Sequence, residues 1–209
     1  MAFTRNGYGQ VEPNQLSAQK TGQIYASLPL ASDVEILQSG EFMYYDYKSG
    51  TVTDATVGEP MLVFNEVKLY EPFWQTSYKD FAMIRVGDNY VTSRLATAGY
   101  GDGAETEGVT PNPGHSDWQA GYRMDGIAPR LFKTNIGDIF TTNMVETGAS
   151  ITYEQGDTLK LKKVSKAADK TGNTLVLSKT GDIEGLEFVV AKVYTMPDGQ
   201  QGLKLQRIK

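Results

Sequence analysis

Residues 155–205 decide the fold, because turn sequences and short apolar sequences alternate along this stretch. Each turn contains Gly with Asp or Asn, and each is followed by apolar residues: QGD (155–157) before TLKL (158–161), TGN (171–173) before TLVL (174–177), and PDG (197–199) before LKL (203–205). Such turns reverse the chain tightly, and apolar runs of this length are typical of β-strands. This stretch therefore predicts antiparallel β-structure.

The same alternation of turns and short apolar runs occurs nearer the N-terminus. Residues 82–86 and 90–92 flank the turn Gly87-Asp88-Asn89, which is a hairpin pattern. The 22 Gly and 8 Pro supply many reversals, and the 12 Tyr suit the pleated faces of strands. We predict an all-β fold: an N-terminal arm, then a β-sandwich or barrel-like domain or domains, with a long central loop.

The composition shifts along the chain predict four segments. Residues 1–30 form an N-terminal arm, 31–96 a β-domain, 97–130 a long loop rich in Gly and Pro, and 131–209 a C-terminal β-barrel-like part. The sequence leaves open whether 131–209 shares one core with 31–96.

Charge and missing residue types exclude several function classes. The formal net charge is −5, so we expect neither nucleic acid nor anionic membrane as a partner. There is no Cys, which excludes disulfides and thiolate chemistry. No apolar stretch reaches the length of a signal-peptide core or of a membrane span, so we expect the chain to be made and used in solution.

We expect no catalytic residue, no metal and no cofactor. The single imidazole, His115, follows a Pro-Gly pair and precedes Ser116 and Asp117. Adjacent loop residues seldom orient one another as a Ser-His-Asp catalytic triad. Asp102, Glu105 and Glu107 could offer oxygens to calcium, but their spacing is not that of the calcium loop, and a solvated acidic loop is the favoured interpretation.

A local basic cluster and a set of aromatic residues each allow two interpretations. The lysines could bind an acidic partner, or could line the solvent-exposed side of an edge strand, and we favour the edge strand. They are Lys160, Lys162, Lys163, Lys166 and Lys170. The aromatic residues cannot all face one core under strict alternation, so we expect some to form an exposed patch: Tyr44, Tyr45, Tyr47, Tyr70, Phe73, Trp74 and Tyr78.

The arm holds too many apolar residues for a flexible tail. Either it becomes ordered on a partner or a neighbouring subunit, or it forms the first strands of the same domain. From the arm and the aromatic patch we predict six partner-binding residues: Leu16, Ile24, Tyr25, Leu28, Phe73 and Trp74.

Three phrases carry a resemblance to a known kind of protein: PNQLSAQKTGQIYASL (13–28), ILQSGEFM (36–43) and TNIGDIFTTN (134–143). In their order they resemble auxiliary head proteins of tailed bacteriophages, of the decoration or head-fibre type. The resemblance implies a non-enzymatic virion protein, assembled in the host cytoplasm, with the major capsid protein or other virion proteins as partners. It also implies a homo-oligomer, for which a trimer is the first expectation.

Two other functions stay open at this point. The chain could be a component of the tail or adsorption apparatus, or a carbohydrate-binding module in which Trp74 or Trp118 stacks on sugar rings.

Overall fold

The computed structural model describes residue 3 and residues 9–31, 33–34, 36–65, 82–85, 90–92, 128–165, 173–196 and 199–209. The prediction of an all-β fold is confirmed. Phe73, Trp74, Trp118, His115, the three loop carboxylates and almost all of the long loop at 97–130 lie outside the described residues.

Within these ranges the chain forms fourteen strands and one short helix, α1 (Ala18–Thr21). The strands are β1 (Val11–Gln15), β2 (Ile24–Tyr25), β3 (Ile36–Leu37), β4 (Phe42–Asp46), β5 (Thr51–Thr53), β6 (Met61–Val63), β7 (Ala82–Arg85), β8 (Tyr90–Thr92), β9 (Leu131–Phe132), β10 (Ile139–Thr142), β11 (Thr158–Ser165), β12 (Asn173–Ser178), β13 (Ile183–Thr195) and β14 (Gln201–Arg207).

Most of these strands belong to one antiparallel sheet that curls into a half-barrel. Its order is β1-β10-β14-β13-β11-β12-β4-β6-β9-β2, and β5 pairs with β4. The predicted hairpin of β7 and β8 is present and joins β3 in a separate three-stranded sheet.

The segment that follows β10 pairs with β12, which lies at the other end of the strand series β10, β14, β13, β11 and β12. Val145 forms a parallel bridge with Leu177 of β12, where the Glu146 N–H donates to the Leu177 carbonyl at 2.8 Å. The Leu177 N–H donates in turn to the Met144 carbonyl at 3.2 Å. Because β12 is thereby tied back to the segment after β10, the strands β10, β14, β13, β11 and β12 surround a common interior.

Alternation along these strands fills that interior. In β11 the buried residues are Leu159 and Leu161, with the partly exposed Lys160 between them. Phe42, Phe140 and Phe188 meet at the centre, with ring centroids 5.5–6.1 Å apart. Phe42 comes from β4, so the regions before and after the long loop contribute to one hydrophobic core, which answers the question that the sequence left open.

Residues 11–31 pack on the chain's own sheet. β1 pairs with β10 and β2 pairs with β9, so these two strands occupy the two ends of the sheet order. A polar cluster fastens the turn into α1: the Asp138 carboxylate accepts from the Ser17 N–H at 3.1 Å and from the Ser17 hydroxyl at 2.9 Å. In this chain the predicted arm therefore supplies strands to the same fold, the second of its two interpretations.

For Lys160, Lys162 and Lys163 the expectation that the lysine cluster lines an edge strand is wrong, and Lys166 and Lys170 lie outside the described residues. β11, which carries Lys160, Lys162 and Lys163, lies between β12 and β13. Each of the three lysines pairs with a carboxylate of another segment: Glu184 and Glu187, Glu146, and Asp54 respectively. Their physical role is thus to offset acidic groups of other segments along a central strand, and not to discourage pairing at an edge.

Candidate protein-contact surface

The structure places four of the six predicted partner-binding residues. Leu16 is 3% exposed and belongs to the core. Ile24, Tyr25 and Leu28 are partly buried and pack against that core. In this conformation Leu16 has almost no surface to offer a partner, whereas Tyr25 retains some. Contact of these residues with another protein stays a prediction.

A column of three tyrosine rings leads from the core to the surface. Tyr25 of β2 and Tyr45 of β4 have ring centroids 5.4 Å apart, and Tyr45 and Tyr47 are 5.1 Å apart. Tyr45 is 5% exposed, but Tyr47 is 74% exposed. The column is thus buried at its middle ring and open to solvent at Tyr47.

Alternation along β4 separates Tyr44 from Tyr45, which are neighbours in the strand and project from its opposite faces. Tyr47, the first residue of the turn after β4, contacts the Tyr45 ring edge to face. The Tyr45 hydroxyl contacts the Ser27 hydroxyl, which ties the segment after β2 to β4. Of the three tyrosines in this run, the structure therefore buries Tyr44 and Tyr45 and exposes Tyr47.

A tight turn after β4 fixes the backbone around Tyr47. The Asp46 carboxylate accepts from the Lys48 N–H at 2.8 Å and from the Ser49 N–H at 3.3 Å, and the Gly50 N–H donates to the Asp46 carbonyl at 3.0 Å. Hydrogen bonding to Ser49 and Lys48 lowers the pKa of Asp46. Gly50 has a φ of 70°, a left-handed value that glycine adopts without a steric penalty. The turn presents Tyr47 on a defined backbone.

A second surface feature lies where β14 ends and β10 and β13 begin. An open groove of about 390 Å³ is lined there by Gly58, Glu59, Pro60, Glu184, Gly185, Leu186 and Arg207. Arg207 follows Leu205 by two residues, so its side chain continues the inward-facing row of β14. Its Nη1 lies 2.8 Å from Glu59 Oε1 and also contacts the Thr134 carbonyl.

Ion pairs continue around this groove. Lys133 lies 3.2 Å from the second oxygen of Glu59, and Lys160 lies 3.0 Å from Glu184. Glu187 lies 3.4 Å from Lys160 and 3.7 Å from Lys209. We call these seven charged residues the Arg207 rim: Glu59, Lys133, Lys160, Glu184, Glu187, Arg207 and Lys209. No local pattern in the sequence indicates the rim, because its members come from five separate segments.

A third polar cluster lies beside the bridge between Val145 and Leu177. One Glu146 oxygen is 2.5 Å from Lys162 Nζ, and the other accepts from the hydroxyls of Ser178 and, at 3.2 Å, Thr180. Hydrogen bonds from Lys162 and then Ser178 lower the pKa of Glu146. Ser178 is buried and its hydroxyl donates to a carboxylate. This arrangement fastens β12 to the segment after β10 and leaves Ser178 without access to a substrate.

Within the described residues, no group of three or more His, Asp or Glu side chains is arranged to hold a metal ion. A search of the same part of the chain finds no helix long and apolar enough to cross a membrane.

Comparisons with protein-family models, with curated proteins and with solved structures find no match for this chain.

Proposed function

We propose that this chain is a non-enzymatic virion structural protein that binds the capsid surface of a tailed bacteriophage as a decoration or auxiliary head protein. The observation that carries the proposal is the column of Tyr25, Tyr45 and Tyr47, with Tyr47 exposed at its outer end. The resemblance of residues 13–28, 36–43 and 134–143 to auxiliary head proteins supports the choice of partner.

Tyrosine suits such a contact for a physical reason. Its ring offers a large apolar area with few rotatable bonds, and its hydroxyl can pair with a polar group of the partner, so tyrosine is enriched at the energetic centres of interfaces. The edge-to-face contact with Tyr45 and the Asp46 turn restrict Tyr47 before binding. A partner therefore has less side-chain freedom to remove, and more of the contact energy appears as affinity.

The first test locates the protein on the particle. Electron microscopy of phage particles, with the chain carrying a gold-binding tag, should show label distributed over the capsid. Label confined to the tail would replace the proposal with the tail or adsorption alternative. Particles without label would contradict a virion role altogether.

The second test addresses the surface. Tyr47→Ala should weaken co-sedimentation with capsids lacking the protein by at least about tenfold, the effect expected of an interface residue worth ~1.4 kcal/mol or more. Tyr47→Phe is the matched control, because it keeps the ring and should retain most of the binding. Unchanged binding of Tyr47→Ala would remove this surface from the proposal. Glycan-array binding that is lost in Tyr47→Ala would favour the carbohydrate-binding alternative instead.

A further inference from the structure

Two neighbouring strands place a lysine and an asparagine on the same face, at one end of the core. Lys163 of β11 follows the core residue Leu161 by two positions, and Asn173 of β12 precedes the core residue Leu175 by two positions. Lys163 is the antiparallel partner of Leu175, so Asn173 lies diagonally opposite Lys163. The Cβ atoms of such diagonal pairs are separated by roughly 7 Å, a distance that a lysine side chain spans.

The carboxylate of Asp54 lies between these two side chains. Asp54 directly follows β5 and is 6% exposed. Its Oδ2 accepts from the Asn173 side-chain amide at 2.7 Å and from the Asn173 backbone N–H at 2.9 Å. Its Oδ1 lies 3.6 Å from Lys163 Nζ, which also donates to the Asp54 carbonyl at 3.0 Å. One buried acidic residue therefore holds an amine and a carboxamide beside each other.

An amine, a carboxamide and a carboxylate in contact are the groups that an amide exchange requires. An amine is a nucleophile once it has lost a proton, and an adjacent carboxylate can take that proton. In free solution amines attack carboxamides very slowly. Fixing both groups in one geometry removes the entropy cost of bringing them together, which accelerates such reactions by large factors.

We propose that Lys163 and Asn173 form an intramolecular isopeptide bond, with Asp54 as the proton carrier. Asp54 takes a proton from the Lys163 ammonium group, and the freed lone pair of Nζ attacks Cγ of Asn173. The bond between Cγ and Nδ2 breaks as Nδ2 takes the proton from Asp54. Ammonia leaves, and the second proton released by Nζ converts it to ammonium. One amide replaces another, so the step consumes no oxidant, reductant or further reactant.

This bond is a covalent link between β11 and β12. It persists when the fold is denatured, because denaturants do not break amide bonds. Its formation needs only groups of the chain itself, so the proposal does not depend on capsid binding and stands or falls separately from the proposed function.

The test is high-resolution mass spectrometry of the purified full chain. We expect the wild-type mass to lie below the mass of the sequence by one molecule of ammonia. Trypsin should release residues 163–166 and 171–179 as one branched peptide, because the linked Lys163 is no longer a cleavage site whereas Lys166 and Lys170 still are. Fragmentation of that peptide should place the link between Lys163 and Asn173.

Lys163→Arg is the matched control, because arginine keeps a positive charge beside Asp54 but has no amine that can form this bond. This variant should have the full mass of its sequence and give no branched peptide. Asp54→Asn keeps the size of the side chain but removes the proton acceptor, so it should lower the linked fraction soon after expression by at least about tenfold. Circular dichroism checks that both variants keep the β-structure.

Three results would overturn the proposal. The first is a folded wild-type chain with the full mass of its sequence. The second is loss of ammonia without the branched peptide, or a loss that persists in Lys163→Arg. The third is a branched peptide that joins Lys163 to Asp54 with loss of water, because the carboxylate and not the Asn173 carboxamide would then be the group attacked.

Discussion

Leu16→Ala distinguishes between the two places where residues 1–30 can pack. Leu16 is 3% exposed and lies in the core of the chain itself. Truncation to alanine removes three carbons from that core. At roughly 0.8 kcal/mol for each buried carbon the transfer loss is about 2.4 kcal/mol, and a partly collapsed cavity adds ~1–2 kcal/mol.

We therefore expect the free energy of unfolding to fall by about 3.5–4.5 kcal/mol, measured by urea denaturation of the isolated chain with far-ultraviolet circular dichroism. Leu28→Ala is the matched control in the same segment, since Leu28 is only partly buried and should lose less. The slope of the free energy against urea should stay constant, because neither change alters the extent of the fold.

The contrary result is equally definite. If Leu16→Ala leaves the unfolding curve of the isolated chain unchanged but abolishes capsid binding, residues 1–30 pack on a partner and not on their own sheet. That outcome would restore the first interpretation of the arm and would refute the reasoning from burial.

Two further predictions concern backbone approach and pH. A β-carbon added at Gly40, where φ is 92°, would lie 2.7 Å from the Gln10 carbonyl oxygen. At Gly50, where φ is 70°, an added β-carbon would have no atom within 4 Å, so only the backbone conformation opposes the change. Gly40→Ala should therefore lower the free energy of unfolding by ~2 kcal/mol more than Gly50→Ala in urea denaturation. Equal costs would mean that the segment at Gln10 does not pack this closely. Glu146→Gln should cost ~1–2 kcal/mol at neutral pH, because it removes the charge that accepts from Lys162. The pKa of Glu146 is lowered in the folded state, so its contribution is present above the ordinary glutamate value of about 4.3 and is lost as the pH falls through the lowered value. The difference between wild type and Glu146→Gln should accordingly shrink on acidification, and a gap that is constant with pH would contradict the assignment.

Local patterns in the sequence determined the fold class. The turns at 155–157 and 171–173 and the alternation of Leu159 and Leu161 with lysines depend only on residues a few positions apart. Alternation places successive side chains on opposite faces whatever the rest of the chain does, and the structure follows it in β11. The same local argument indicated that the tyrosines at 44, 45 and 47 could not all face one core.

Only the tertiary structure decided which of these faces are covered. Burial of Tyr45 depends on Tyr25 and Ser27, and the central position of β11 depends on pairing with β13, more than twenty residues away at Glu187. The Arg207 rim unites segments that are far apart in the chain, so no spacing in the sequence could reveal it. The physical reason is that alternation determines which residues share a face of a strand, whereas packing of distant segments determines whether that face is buried.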